Sequence, residues 1–256
     1  LKFVTTDHDG REVRVTADIV LSDADALFTV SLNGREYHRQ TVSLKDLPGG
    51  RTATAEVGTG GAGKGRAAAG TTVEVEALFT CPDLALWSPD EPVVHELSVC
   101  AGEDCVAEMV GLRTVAVSGQ QILVNGSPVR LFGFNRHESS PESGHAQSDQ
   151  LLVTDLQLLE QMGVNFVRGS HYPQDERFID LCDKRGIMVW CEATGWQHTD
   201  EHLSDRRFLD AQLINIEEMI QSLGNHPSII MWGLLNESHG HKRTARPGFA
   251  ELVGAI

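Results

Sequence analysis

The sequence predicts a chain in two parts, an antiparallel β-sandwich followed by the parallel strands and helices of a (β/α) barrel. Short alternating runs of apolar and polar residues, separated by Gly, Pro, Asp and Asn, fill the first part. In the second part, nearly continuous apolar strands alternate with helical patterns. Four such strands are present, which predicts the first half of an eight-stranded barrel. The predicted domains are residues 1–117 and 118–256.

The first part contains four runs with the two-residue alternation of half-buried strands. Between them, the Gly/Ala-rich stretch 58–70 has no strand or helix period and predicts a surface loop. Gly58, Gly63 and Lys64 fit the spacing of a phosphate loop. Gly65, however, stands where Ser or Thr would hold magnesium, which makes a nucleotide-dependent enzyme a weak alternative. The strand runs are residues 12–19, 26–32, 71–79 and 93–100.

The second part opens with a hairpin signal and continues as alternating strands and helices. Asn125-Gly126 between two apolar runs is typical of a tight β-turn. Gly163, Gly186 and Gly224 each follow a helical pattern, where glycine acts as a stop signal. The strand patterns are 129–133, 165–172, 187–193 and 228–235, and the helical patterns are 152–162, 175–185 and 208–223.

Composition limits the partners of this protein. The 256 residues include 21 Lys plus Arg against 36 Asp plus Glu, and the net charge of −15 disfavours nucleic acid or an anionic membrane as a partner. No apolar run approaches the roughly eighteen residues of a membrane-spanning helix. Because the chain begins at Leu1 rather than Met, we expect an incomplete N-terminus, and the localisation stays open. Homo-oligomerisation is also left open.

The five cysteines are an odd number without CxxC spacing, which disfavours a disulfide framework and a zinc knuckle. Cys100 and Cys105 are close enough in sequence to pair locally. The interpretation we favour at this point is that all five are free thiols or core residues.

Polar residues cluster where the predicted parallel strands end, the edge at which barrel enzymes place their chemistry. Glu237 directly follows an apolar strand. Burial on one side would favour the protonated carboxyl that a general acid needs. From its position alone, a solvent-facing or arginine-paired glutamate is an equally good interpretation. The strand-end residues are Asn135, Arg136, His137, Arg168, His171, Glu192, Asn236 and Glu237.

Two segments favour Glu237 as a general acid over Glu237 as a solvent-facing or arginine-paired residue. Residues 225–237, NHPSIIMWGLLNE, closely resemble the acid/base signature of glycoside hydrolase family 2. Residues 165–173, NFVRGSHYP, resemble the other signature of that family and precede the first in the same order. Residues 133–138 and 87–89 are also similar to family sequence, so the resemblance covers most of the chain from 83 to 237.

The resemblance implies a retaining β-glycosidase with an immunoglobulin-like sandwich at 1–117 and the first half of a TIM (β/α)8 barrel at 118–256. It implies a carbohydrate substrate, a terminal β-galactoside or β-glucuronide. Glu237 would be the general acid/base, and Asn236 would bind the sugar 2-hydroxyl.

Other positions take roles from the same resemblance. Arg168 is similar to the arginine beside the family's nucleophile, although a purely structural pair with Glu192 is an alternative. Trp196, just past the third strand, stacks on a sugar or plugs the barrel rim. His171 and His137 are similar to sugar-contacting histidines, and Asn135 and Glu192 to polar residues of the pocket.

Two departures from the family pattern qualify this assignment. The family nucleophile is a glutamate on the seventh strand, so we assign none here and expect this chain alone to be inactive. We assign no metal or cofactor. The resemblance implies that metal-dependent members of the family bind magnesium with a glutamate at the position of Trp196 and a histidine at the position of His198. Here Trp196 replaces the glutamate, and a hard cation such as magnesium depends on that carboxylate. The pairs His198 with His202 and His239 with His241 could bind zinc, but a solvated loop is the favoured interpretation of both. A noncatalytic sugar-binding or assembly module is the alternative function.

Overall fold

The computed structural model describes residues 1–6, 11–21, 25–43 and 71–256. These residues form two compact units, and each is treated by itself. One comprises Leu1–Leu84 and His95–Val110, and the other comprises Ala85–Val94 and Gly111–Ile256. The domain boundary at residue 117 stays a prediction. The phosphate-loop-like residues Gly58 to Gly65 lie outside the described residues.

The first unit consists of two antiparallel sheets, with strand orders β1-β2-β5 and β4-β3-β6-β7. Every second residue of β2 and β3 is buried, so the local alternation specifies which face of each strand is covered. The four predicted strands are confirmed. The bounds are β1 Phe3–Thr6, β2 Glu12–Leu21, β3 Ala26–Leu32, β4 Arg35–Val42, β5 Thr71–Thr80, β6 His95–Ala101 and β7 Asp104–Val110.

Three strands of this unit, β1, β4 and β7, were not predicted. No residue of β1 is buried, and one residue is buried in each of the others, Val42 in β4 and Val110 in β7, so none of the three carries an apolar alternation that could be read from sequence. The preference for free thiols at Cys100 and Cys105 was wrong. These residues lie directly opposite each other in the β6·β7 pair and form a disulfide, because the hairpin brings their Cα atoms to 4.1 Å.

The second unit begins with a small antiparallel sheet and continues as a parallel sheet with the order β11-β12-β13-β14. The predicted hairpin is confirmed, with Asn125 and Gly126 at φ 51° and 76° in its turn. The strands are β8 Val115–Ser118, β9 Gln121–Val124, β10 Ser127–Val129, β11 Gly133–Arg136, β12 Phe166–Gly169, β13 Met188–Glu192 and β14 Ile229–Gly233. The helices are α1 Asp149–Gln161, α2 Glu176–Arg185, α3 Arg206–Leu223 and α4 Arg246–Gly254.

Each face of the parallel sheet has its own buried cluster. Val167, Val189 and Cys191 belong to the larger cluster, which they share with residues of the helices. Met188 belongs instead to a second cluster with Trp87 and Ile230. Because side chains alternate along a strand, Glu192 lies on the Met188 side of β13, away from the helices. That alternation positions the polar strand ends described below.

A buried carboxylate fixes the start of β14. Asp183, on α2, accepts hydrogen bonds from His226 Nδ1 at 2.6 Å and from the Ser228 backbone N–H at 2.9 Å. Burial lowers the pKa of His226, but the hydrogen bond to Asp183 and the surrounding carboxylates outweigh that effect and raise it overall. The residues that precede the strand are therefore held by a specific polar contact.

Two glycines follow the ends of helices and differ in the space around them, so substitutions there measure backbone strain with and without a steric clash. Gly163 after α1 and Gly186 after α2 have φ of +70° and +72°. A Cβ at Gly163 would meet nothing within 4 Å, whereas one at Gly186 would lie 2.0 Å from the Pro89 carbonyl oxygen. We expect Gly163→Ala to lower the free energy of unfolding by about 1 kcal/mol from strain alone. Gly186→Ala should cost roughly 3 kcal/mol, because backbone must also move.

Chemical denaturation of both variants tests this expectation. Equal losses for Gly163→Ala and Gly186→Ala would contradict it, because the contact with Pro89 would then contribute nothing.

Candidate active site

A cleft of about 500 Å³ opens at the carboxyl ends of the four parallel strands. Each strand contributes residues that follow its last position, as expected for a barrel. Five residues singled out from sequence meet here: His137, His171, Trp196, Asn236 and Glu237. The full lining is His137, Ser139, His145, His171, Tyr172, Trp196, Gln197, Asn236 and Glu237.

Glu192 anchors the polar network beside this cleft. Its side chain is 2% exposed, and its two oxygens accept hydrogen bonds from Arg168 Nε at 2.6 Å and His171 Nδ1 at 2.9 Å. Because a carboxylate only accepts, His171 donates through Nδ1 and keeps Nε2 for another partner. The ion pair between Arg168 and Glu192, which the sequence left open as an alternative role for Arg168, is therefore present.

Arg168 also reaches across to the last strand. Its Nη2 donates to Asn236 Oδ1 at 2.9 Å. This contact identifies the amide oxygen of Asn236 and leaves the amide N–H groups for a ligand. One guanidinium therefore connects a buried carboxylate to a residue that lines the cleft.

Glu237 lies at the edge of the cleft with a left-handed backbone conformation, φ 49°. Its Oε2 accepts a hydrogen bond from Gln197 Nε2 at 3.2 Å. The expected burial of Glu237 on one side is wrong for the described chain, because this residue is exposed. The buried residues that continue beyond β14 end at Leu235, and Glu237, two positions further on, lines the open cleft.

Two of the predicted strand-end residues on β11 do not line the cleft. Asn135 is exposed and pairs in register with Arg168 of β12. Arg136 is buried on the opposite side of the strand from its neighbours, as alternation requires. It donates to Glu138 and Gln174, and its guanidinium lies 3.9 Å from the Phe178 ring centre. We therefore assign Arg136 a structural role.

Four lining residues were not singled out from sequence: Ser139, His145, Tyr172 and Gln197. Tyr172 lies within the segment that resembles a family signature, so that resemblance could have identified it. Its ring contacts His145 at 5.2 Å between centroids. His145 and Gln197 lie in loops without periodicity, where the sequence gives no signal for contact with residues distant along the chain.

One of the histidine pairs considered for zinc, His198 with His202, packs against an aromatic side chain. His198 and His202 have ring centroids 5.5 Å apart, and His198 packs at 4.6 Å on Phe208. Burial and the nearby His202 lower the pKa of His198. Among the described residues, the group of three possible metal ligands is elsewhere, at Asp180, Asp183 and His226. Within it, Asp183 and His226 already bond each other.

A polar cleft at the carboxyl ends of parallel strands, with helices packed on the opposite face, is the active-site position of (β/α)-barrel enzymes. The chain belongs to glycosyl hydrolases family 2, because the TIM barrel domain of that family matches residues 115–255. The predicted family and barrel are confirmed. In the described residues, no helix combines the length and apolar character needed to span a membrane.

Sequence and structure comparisons agree on this family. A β-galactosidase of Thermoanaerobacter pseudethanolicus is 38% identical over 160 residues, which cover 59% of this chain and 21% of the relative. A β-glucuronidase of Sus scrofa is 30% identical over 243 residues, which cover 95% of this chain and 37% of the relative. The structure of a β-galacturonidase from Eisenbergiella tayi bound to galacturonate aligns with a TM-score of 0.84 and 28% identity. That alignment covers 99% of this chain and 42% of the neighbour, so the chain spans less than half of each of these proteins.

Proposed function

We propose that this chain forms part of a retaining β-glycosidase that releases a terminal β-galactoside or β-uronide, with Glu237 as the general acid/base. The observation that carries the proposal is the position of Glu237 in the cleft beside Asn236, whose amide is oriented by Arg168. Glu237 protonates the glycosidic oxygen as the sugar leaves. It then removes a proton from the water that hydrolyses the glycosyl-enzyme intermediate.

Asn236 binds the sugar 2-hydroxyl in this proposal. Because its Oδ1 accepts from Arg168, its amide N–H groups are left to donate to the sugar. Hydrogen bonds at the 2-hydroxyl strengthen as positive charge develops on the sugar ring. Asn236 therefore contributes mainly to turnover rather than to ground-state binding.

The remaining predicted residues take supporting roles. His137 and His171 line the cleft and contact sugar hydroxyls, and Asn135 stays a proposed polar residue of the strand end. Trp196 is 52% exposed at the cleft and offers a ring face on which a sugar can stack. Glu192 acts through Arg168 and His171 rather than by touching substrate.

Retention needs a second carboxyl about 5 to 5.5 Å from the first. Among the described residues that line the cleft, Glu237 is the one carboxylate. Glu192 is unsuited to nucleophilic attack because it is buried and bonded through both oxygens. We therefore propose that the nucleophile comes from a barrel strand outside residues 1–256, and that these residues alone do not hydrolyse glycosides.

We also propose that residues 1–117 form an immunoglobulin-like domain. The strand orders β1-β2-β5 and β4-β3-β6-β7 suit two facing antiparallel sheets of the kind found in that fold. Tyr37 of β4 and Phe79 of β5 join the two sheets with ring centroids 5.1 Å apart.

Hydrolysis by the protein expressed from its complete reading frame tests the function. The substrates are 4-nitrophenyl β-D-galactoside, β-D-glucuronide and β-D-galacturonide, which follow the names of the relatives. We expect nitrophenol release from at least one of them and, by NMR, the β-anomer as the first sugar product. Initial release of the α-anomer would overturn retention. Sugar binding without hydrolysis of any substrate would instead support a noncatalytic module.

A further inference from the structure

Beyond the ends of β13 and β14, the chain stays paired. The Asn236 backbone N–H donates to the Gly195 carbonyl at 3.0 Å, and the Gln197 N–H donates to the Asn236 carbonyl at 2.8 Å. The His239 N–H then donates to the His198 carbonyl at 2.8 Å. Backbone hydrogen bonds therefore hold residues 195–198 against residues 236–239, with one isolated parallel bridge between Trp196 and Asn236, in an extension beyond the sheet that carries the acid/base candidate.

Special backbone conformations build this extension. Gln197 and Glu237 both have left-handed φ, 55° and 49°. Gly195 has φ +149°, and a Cβ there would come within 2.6 Å of both His198 Nε2 and Leu235 Cδ2. Because backbone hydrogen bonds hold residues 195–198 against residues 236–239, the fold keeps the Gln197 amide within reach of the Glu237 carboxyl.

We propose that Gln197 is a positioning residue for Glu237, an inference that rests on the proposed function. Gln197 Nε2 donates to Glu237 Oε2 at 3.2 Å and holds that oxygen in place. The other oxygen, Oε1, is then the one that carries the proton to the glycosidic oxygen. An amide suits this task because it donates a hydrogen bond without titrating and so does not compete for the proton.

A positioning role differs measurably from a structural one. Both Gln197 and Glu237 are exposed, so their hydrogen bond contributes little to the stability of the fold. Misplacing a proton donor instead slows the step in which the proton is transferred. The effect should therefore depend on how much protonation the leaving group requires.

The test compares three variants in the protein expressed from its complete reading frame. Gln197→Met keeps the side-chain length but removes the donor. Gln197→Gly also removes the donor but relieves any strain at positive φ, so it controls for the backbone. Gln221→Met is the matched control, because Gln221 Nε2 makes the same kind of hydrogen bond, 3.0 Å to Glu217 Oε1, on the exposed surface of α3.

The measured quantity is kcat/KM for methyl and 2,4-dinitrophenyl β-glycosides of the sugar that the protein releases. We expect Gln197→Met and Gln197→Gly to lose about tenfold on the methyl glycoside and less than about twofold on the dinitrophenyl glycoside. Gln221→Met should match the wild type, and the melting temperatures should stay unchanged.

Three outcomes would overturn the role of Gln197: wild-type activity of Gln197→Gly, equal losses on both substrates, or a loss that follows a drop in melting temperature. Glu237→Gln, measured in parallel, separates the two proposals. If Glu237→Gln shows the leaving-group dependence and Gln197→Met does not, the acid/base assignment stands and the role of Gln197 is wrong. If Glu237→Gln shows no such dependence, the acid/base assignment itself is wrong.

Discussion

Replacing Glu237 by glutamine in the complete protein should lower kcat/KM for methyl β-glycosides by about 10³-fold, within the usual contribution of general acid catalysis. For 2,4-dinitrophenyl β-glycosides the loss should stay below about tenfold, because that leaving group departs without a proton. Glutamine keeps the size of the side chain and its hydrogen-bonding oxygen but cannot donate the proton. The measurement is the dependence of kcat/KM on leaving-group acidity for both proteins.

The matched control for this change is Glu251→Gln. Glu251 lies on α4 and pairs with Arg206 at 2.8 Å, away from the residues that line the cleft. We expect this variant to keep wild-type activity on both substrates. If Glu237→Gln instead lowered kcat/KM equally for the methyl and the 2,4-dinitrophenyl glycosides, Glu237 would act in binding or folding rather than as the acid.

The second large effect is expected at Arg168. Arg168→Met would leave Glu192, 2% exposed, buried without its cationic partner, and should lower the free energy of unfolding by about 3 kcal/mol. Turnover should also fall, because Asn236 loses the donor that orients its amide. Chemical denaturation and kcat for an aryl β-glycoside measure the two effects separately.

A double variant distinguishes these effects. Arg168→Met with Glu192→Met removes both charges, and we expect most of the stability to return while turnover stays low. Arg206→Met is the control: its ion pairs with Asp210 and Glu251 are exposed, so its stability should change little. If Arg168→Met had the same free energy of unfolding as the wild type, the prediction would be wrong, because burying Glu192 would then not require the charge of Arg168.

Most of the alternation of strands and helices in the second unit could be read from sequence because it follows from local periodicity. The three helical patterns and the last three parallel strands were predicted with bounds within a few residues, since burial on both faces removes polar residues from a parallel strand. The first parallel strand was predicted at 129–133 but lies at Gly133–Arg136, where only one residue is buried and the pattern is not apolar. The resemblance of residues 225–237 then identified the family that the comparisons confirm. The roles of the site residues stay predictions.

Other features depend on which residues meet after folding. The disulfide between Cys100 and Cys105 required the register of β6 against β7, and β4 carried no periodic signal. Arg136 was grouped with the strand-end residues by its position, but alternation turns it to the opposite side of β11. The residue types at each strand end could be read from sequence, but the side of the strand to which each one points could not.

The sequence by itself determined the alternation of parallel strands and helices in the second unit, the family, and the candidate acid Glu237, because periodicity and signature segments are properties of neighbouring residues. Only the tertiary structure decided that Glu237 is exposed and bonded to Gln197, and that Arg168 links Glu192 to Asn236. These contacts join residues that lie 24 to 68 positions apart in the chain, and the pairing of parallel strands, which no local pattern specifies, brings them together.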